Sequence, residues 1–204
     1  MPARGRVMAD AGQSRVFYAL WPDPAVRARL HAESLRLSRL LGGKPSQPDS
    51  LHLTLVFVGE VENARLADLA AVAERVTSPR FELSLDREAC WRHNHIAHLG
   101  ASQPPAALFD LVGRLSMSLK AAGIAFDARP FAPHVTLVRK ADCARHLARG
   151  KDGNEAGNEV GNEAGNENPA SGPIRWSARD FVLVRSSLRA EGARYEQLGR
   201  WPLL

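Results

Sequence analysis

The chain has 204 residues, 45% of them hydrophobic and 24% charged, which is the balance of a globular protein able to bury a sizeable core. No run of about 18 apolar residues occurs, so a membrane-spanning helix is excluded. The formal charge of +5 favours a polyanionic partner.

Residues 1–13 carry basic residues without an apolar stretch, so they read as a flexible tail and not as a secretory signal, with the cytoplasm as the expected address. RVFYALW (15–21) alternates like a strand. Asp23 then stands where it can cap a helix, with Pro24 at the first helical position, and the helix ends at Gly42-Gly43. LHLTLVFVGE (51–60) is a second strand, followed by a helix from about Glu62 to Val76. FELSLDREACW and HIAHLG read as a strand pair. PAALFDLVGRLSMSLKAAG is a helix stopped at Gly123, and IAFDA leads into a PFAP turn. A strand from His134 and a short helix over 142–149 come next, and RDFVLVRSSL and YEQLGRWPLL supply the last strands.

Residues 153–168 hold four GNE units at a period of four. Such a tract buries too little apolar area to offset the entropy of ordering, so 150–172 is expected to be a disordered surface loop. The pattern of elements is α+β, with helices over largely antiparallel sheets and two similar halves. Residues 14–204 therefore read as one bilobal domain.

Two strands share an unusual face. His52 and Thr54 stand side by side in LHLTL, and His134 and Thr136 repeat the arrangement in PHVTL. Residues two apart on a strand point the same way, so each motif projects an imidazole and a hydroxyl to one side. A single His-x-Thr is weak evidence and is usually structural. Two copies in matching apolar contexts call for a chemical explanation. Of two histidines, one can be neutral and the other protonated near neutrality, which makes a general base and a general acid. Displacement at phosphorus uses such a pair on opposite sides, with hydroxyls stabilising the phosphate oxygens. No carboxylate accompanies either motif, so no metal is expected.

The motifs LHLTLVFVGEV and PFAPHVTLVRK, with RVFYALWP and the ending VLVRSSLRAEGARYEQLGRWPLL, resemble the 2H phosphoesterase superfamily, and within it the bacterial RNA 2′,3′-cyclic phosphodiesterases, also called 2′-5′ RNA ligases. The resemblance implies two α+β lobes flanking a central active-site cleft, with one motif from each. It implies His52 as proton donor, His134 as proton acceptor, and Thr54 and Thr136 as phosphate contacts. Arg139 matches an arginine that approaches the phosphate, although simple strand alternation puts it on the face opposite His134. The implied reaction opens RNA 2′,3′-cyclic phosphate ends to a 2′-phosphomonoester without metal or cofactor, and 2′-5′ joining of RNA is a side activity. Phe17 and Phe131 are candidates for stacking the terminal base.

Three other features carry alternatives. HNHIAH (93–98) holds three histidines and reads as a strand or turn before it reads as a metal site. Ser186-Ser187 lacks the context of a nucleophile. Cys90 and Cys143 lack metal-ligand spacing and read as buried or incidental thiols, with a disulfide not expected. The alternatives to RNA-end hydrolysis are a phosphodiesterase for small cyclic nucleotides or ADP-ribose cyclic phosphate, or a non-catalytic RNA-binding module. A monomer is expected.

Overall fold

A computed structural model describes residues 12–150, 163–167, 172–189 and 192–204. In chain order the elements are β1 (Gln13–Leu20), α1 (Pro24–Leu41), β2 (Lys44–Pro45), β3 (Leu53–Glu62), α2 (Leu66–Glu74), β4 (Phe81–Leu85), β5 (Arg87–Trp91) and β6 (Ile96–Gly100). After them come α3 (Ala106–Ala121), β7 (His134–Arg139), α4 (Cys143–Gly150), β8 (Glu163–Glu167), β9 (Ile174–Ala178), β10 (Asp180–Arg189) and β11 (Gly192–Pro202). Short 3₁₀ turns, Pro48–Ser50 and Asn63–Arg65, precede β3 and α2.

The α+β class with antiparallel sheets holds, but the sheets are unequal. One runs β11-β10-β1-β3-β7-β6-β5-β8, with β2 added beside β7, and the other is the pair β4-β9. The large sheet thus has two halves, β11-β10-β1-β3 and β7-β6-β5-β8, between which the chain crosses, and β3 and β7 meet at the seam. The strand expected over FELSLDREACW is broken at Asp86, whose carboxylate takes hydrogen bonds from the Ser102 N–H and hydroxyl. Its first part, β4, leaves to pair with β9, and only β5 pairs with β6.

Local chemistry sets the helix ends. Asp23 Oδ1 accepts from the N–H groups of Ala25 and Val26, and Pro24 opens α1 as the sequence predicts. At the other end Gly43 sits at φ 84, where a Cβ would lie 2.5 Å from the Arg139 carbonyl oxygen, so only glycine lets the chain pass the end of β7 this closely. The inward face of α1 carries Val26, Leu30, Leu37 and Leu41, all buried, and packs on β7. Buried Glu33 on the same helix shares Arg36 with buried Glu88 on β5, so one guanidinium neutralises two carboxylates and ties α1 to the second half.

Two expectations are corrected. Cys90 and Cys143 form a disulfide with Cα atoms 5.5 Å apart, joining β5 to the start of α4 across 53 residues. Spacing along the chain carries no trace of it, because the sheet and α4 bring the two cysteines together. Within the GNE tract, expected to lack structure, Glu163–Glu167 forms β8 and pairs with the edge of β5. The rest of that tract and residues 1–11 lie outside the described residues. Among those described, no helix is long and apolar enough to cross a membrane.

A bond closing this long a loop restricts the unfolded chain and contributes about 2–4 kcal/mol. Titration of the unfolded, unreduced protein with a thiol reagent is expected to find no free thiol. Reduction should lower the urea midpoint correspondingly. Two titratable thiols before reduction would show that the bond does not form in solution.

Candidate functional site

The seam between the halves is built by the motifs themselves. β3 and β7 pair antiparallel at one position, Leu53 with Val135. These are the middle residues of the two His-x-Thr motifs, and both are fully buried. With Leu53 and Val135 committed to the core, the flanking His and Thr face the other way. The antiparallel register then sets His52 on the side of Thr136, and Thr54 on the side of His134. All four line one cleft of about 1080 Å³.

Both imidazoles are oriented by the same device. Nδ1 of His52 lies 2.8 Å from the Ser50 carbonyl oxygen, and Nδ1 of His134 lies 2.8 Å from that of Ala132. A carbonyl only accepts, so each ring carries its proton on Nδ1 when neutral, leaving Nε2 as the nitrogen available to the cleft. The hydroxyls of Thr54 and Thr136 have no protein partner among the described residues and remain free for a ligand.

The surroundings of the two rings differ. His52 sits in an aromatic box: Phe17 stacks on it at 4.8 Å, Trp21 lies parallel at 5.5 Å, and Tyr195 meets it edge-on at 5.1 Å. Burial draws its pKa from 6.5 down to about 4, helped by the positive charges of His134 and Arg139 and opposed by the bond to Ser50. His134 is flanked edge-on by Trp91 at 4.4 Å and by His98 at 5.5 Å, and Trp91 also covers His98 at 4.1 Å. His98 is buried and its pKa falls to about 3, first through burial and then through the charge of His134.

Arg139 lines the same cleft as His134, and a β-bulge is the reason. Against β6 the register passes from Thr136–His98 to Val138–Ala97, so Leu137 is an extra residue and the alternation resets. Leu137 and Val138 are both buried, and Arg139 returns to the cleft side. The loosened backbone is held by serines: Ser34 donates to the Leu137 carbonyl at 2.7 Å and Ser46 to the Thr136 carbonyl at 2.8 Å. β3 carries a matching bulge, since its register against β1 skips Leu55 after Thr54. Five residues beyond His52, where the second half has Arg139, the first half has Phe57, with the Arg15 guanidinium 4.9 Å above its ring. Arg15, Lys44, Lys120 and Arg139 line the cleft without a carboxylate partner among the described residues, which makes it a trap for anions.

The two phenylalanines divide. Phe131 lines the cleft, half-buried and edge-on to Phe109. Phe17 is 4% exposed and its face is taken by His52, so it backs the imidazole and is closed to a base. The three histidines of HNHIAH separate: His93 lines the cleft, His95 turns at φ 56 toward the Ala141 carbonyl, and His98 lies behind His134. Among the described residues no three His, Cys, Asp or Glu side chains gather as metal ligands. Trp21, Trp91, Tyr195 and the two serines are members of this site that sequence reasoning does not single out. They come from separate segments, and no local pattern marks them.

Comparison with known proteins agrees with this geometry. A family model described as LigT like phosphoesterase matches residues 20–97 and 99–195. The chain is 34% identical over 163 residues to the RNA 2′,3′-cyclic phosphodiesterase of Escherichia coli strain K12, covering 79% of this chain and 80% of that one. It is 27% identical over 201 residues to the protein of the same name from Thermus thermophilus, covering 93% and 90%. The crystal structure of E. coli LigT complexed with 3′-AMP superposes with a TM-score of 0.74 at 29% identity, over 94% of this chain and 99% of that one.

The lowered pKa values of His52 and His98 have a consequence for stability. The unfolded chain binds protons on both rings from about pH 6.5 downward, whereas the folded chain does so only near 4 and 3. The unfolded state therefore holds more protons across that window, and stability falls as the pH is lowered through it. The urea midpoint is expected to drop between about pH 7 and about pH 4.5, and His98→Gln should remove part of the slope. An unchanged slope in that variant would show that His98 titrates normally in the folded protein.

Proposed function

The chain belongs to the LigT like phosphoesterase family, and we propose that it hydrolyses RNA 2′,3′-cyclic phosphate ends to 2′-phosphomonoesters by two-histidine acid–base catalysis, as a monomer and without a metal. The observation that carries this reading is the matched pair of imidazoles, each with Nδ1 fixed on the backbone and Nε2 left to one anion-attracting cleft.

In this reading the cyclic phosphate sits between the motifs, its non-bridging oxygens bonded by the Thr54 and Thr136 hydroxyls and approached by Arg139. His134 Nε2 takes a proton from water as the water oxygen bonds to phosphorus. The bond from phosphorus to the 3′ oxygen breaks, and His52 Nε2–H protonates that oxygen. One water is consumed. The histidines exchange protonation states and are reset by solvent. The 2′-5′ joining reaction is the same displacement with an RNA 5′ hydroxyl as the attacking oxygen in place of water, the bond from phosphorus to the 3′ oxygen again breaking. Phe131, which lines the cleft, stacks the terminal base in this reading.

The acid role asks something specific of His52. Burial, with the nearby charge of Arg139, keeps it neutral in the empty cleft, so its proton has to arrive with the substrate. A phosphodiester anion at the cleft centre offsets the field of Arg139 and stabilises the imidazolium. Binding of a 2′,3′-cyclic nucleotide to the inactive His134→Ala protein near pH 7 is therefore expected to take up a proton. Calorimetry in buffers of different ionisation enthalpy reads this directly, because the diester itself does not titrate there. Binding without proton uptake would exchange the roles and make His52 the base.

A short RNA ending in a 2′,3′-cyclic phosphate, incubated in EDTA, is expected to yield a 2′-phosphate. His52→Ala and His134→Ala should each lower the rate by about 10²–10⁴-fold. Activity abolished by EDTA would overturn the metal-free reaction, and cleavage of cyclic mononucleotides or ADP-ribose cyclic phosphate alone would move the substrate to small molecules.

A further inference from the structure

A second groove opens on the far side of the aromatic box. It encloses about 1090 Å³ and meets the catalytic cleft along Gln47, Ser50, Ala193 and Tyr195, which line both. Trp21 is the dividing wall. One face of its indole lies parallel to His52, and the half-buried ring also borders the second groove. Tyr195 stands beside it, edge-on to His52 and facing both spaces.

The chemistry of this groove differs from that of a small-molecule pocket. Trp21 and Tyr195 supply aromatic surface, and four arginines line it. Arg27 and Arg200 are engaged with Asp49 and Asp180. Arg179 and Arg194 are exposed and have no carboxylate partner among the described residues. Unpaired guanidinium groups beside aromatic rings suit a ligand that alternates anionic links with flat, stackable rings.

We infer that this groove receives the nucleotides upstream of the cyclic phosphate, so that single-stranded RNA runs from the His52–His134 cleft across Tyr195 onto Arg179 and Arg194. The inference rests on the reading that an RNA 3′ end occupies the catalytic cleft. Continuity argues for RNA over a separate ligand: the polymer has to leave the cleft, and the groove adjoins it through shared residues within reach of the imidazole. Of the carboxylates in the groove, Asp49 and Asp180 are tied to Arg27 and Arg200 and Asp23 caps α1, so the positive charge of Arg179 and Arg194 sits along the proposed path.

The test compares a fluorescein-labelled ribo-octamer ending in a 2′-phosphate with the corresponding 2′-phosphorylated mononucleotide, in the parent protein and in Arg179→Glu/Arg194→Glu. The parent is expected to bind the octamer at least about tenfold more tightly, as one stacked base alone would give. The double variant should lose that advantage and bind the mononucleotide unchanged. With two phosphate contacts gone, its log–log salt dependence for the octamer should be shallower by about 1.4. Arg179→Gln/Arg194→Gln, which adds no negative charge, should give an intermediate loss. Octamer binding that survives both variants would overturn the groove assignment, as would an equal loss for the mononucleotide. Hydrolysis of the cyclic forms is followed in parallel. If neither is cleaved while the octamer preference still depends on the two arginines, the proposed reaction fails and the RNA track stands.

Discussion

The pairing of Leu53 with Val135 is the constraint from which the site follows. It is one rung of an antiparallel ladder, yet it fuses the two halves of the molecule into a single sheet. Both side chains are wholly buried, so their position is fixed by the core. Because strand side chains alternate, burying the middle residue of each motif obliges its His and Thr to face outward. A one-residue slip of either strand would turn an imidazole into the core and an aliphatic side chain into the cleft. Hydrophobic register thus shapes the cleft, because the most apolar residues of each motif aim its most polar ones.

The bulges extend this logic beyond plain alternation. After each Thr, a leucine is inserted into the ladder, and the valine beyond it stays buried as well. On β7 this returns Arg139 to the cleft side. A bulge leaves carbonyls without their ladder partners, which is costly when they are buried. Ser46 after β2 gives its hydroxyl to the Thr136 carbonyl and its N–H to that of Leu137, to which Ser34 on α1 also donates. The packing of α1 on β7 therefore covers the core and also satisfies the irregular strand that delivers the arginine.

How much of this is legible in the sequence depends on whether the determining interaction is local. The cap at Asp23, the stop at Gly42-Gly43 and the repeated His-x-Thr-Leu pattern depend on residues within a few positions of each other, and they can be read. Arg139 cannot be placed by alternation, because a bulge depends on the partner strand. The Cys90–Cys143 bond, the departure of β4 to pair with β9, and the assembly of Trp21, Trp91 and Tyr195 around the imidazoles are contacts between distant segments. No periodicity encodes them. Phe17 departs from its expected role for the same reason: its place on a strand beside the site is evident, but that His52 covers its face is not.

Two identical motifs related by near symmetry would give two histidines with the same proton affinity, and acid–base chemistry needs them to differ. The scaffold supplies symmetry where orientation matters, in the paired strands, the bulges and the carbonyls that hold each Nδ1. It breaks symmetry in what surrounds the rings. His52 is enclosed by Phe17, Trp21 and Tyr195, so its charged form is desolvated. His134 is more open to the cleft and rests on Trp91 and the buried His98. At the fifth position after each His, an arginine faces the cleft in one half and a phenylalanine in the other. Burial thus keeps the proton off His52 in the empty cleft, and in the proposed reaction an acid that forms only beside an anion would tie its protonation to the arrival of substrate.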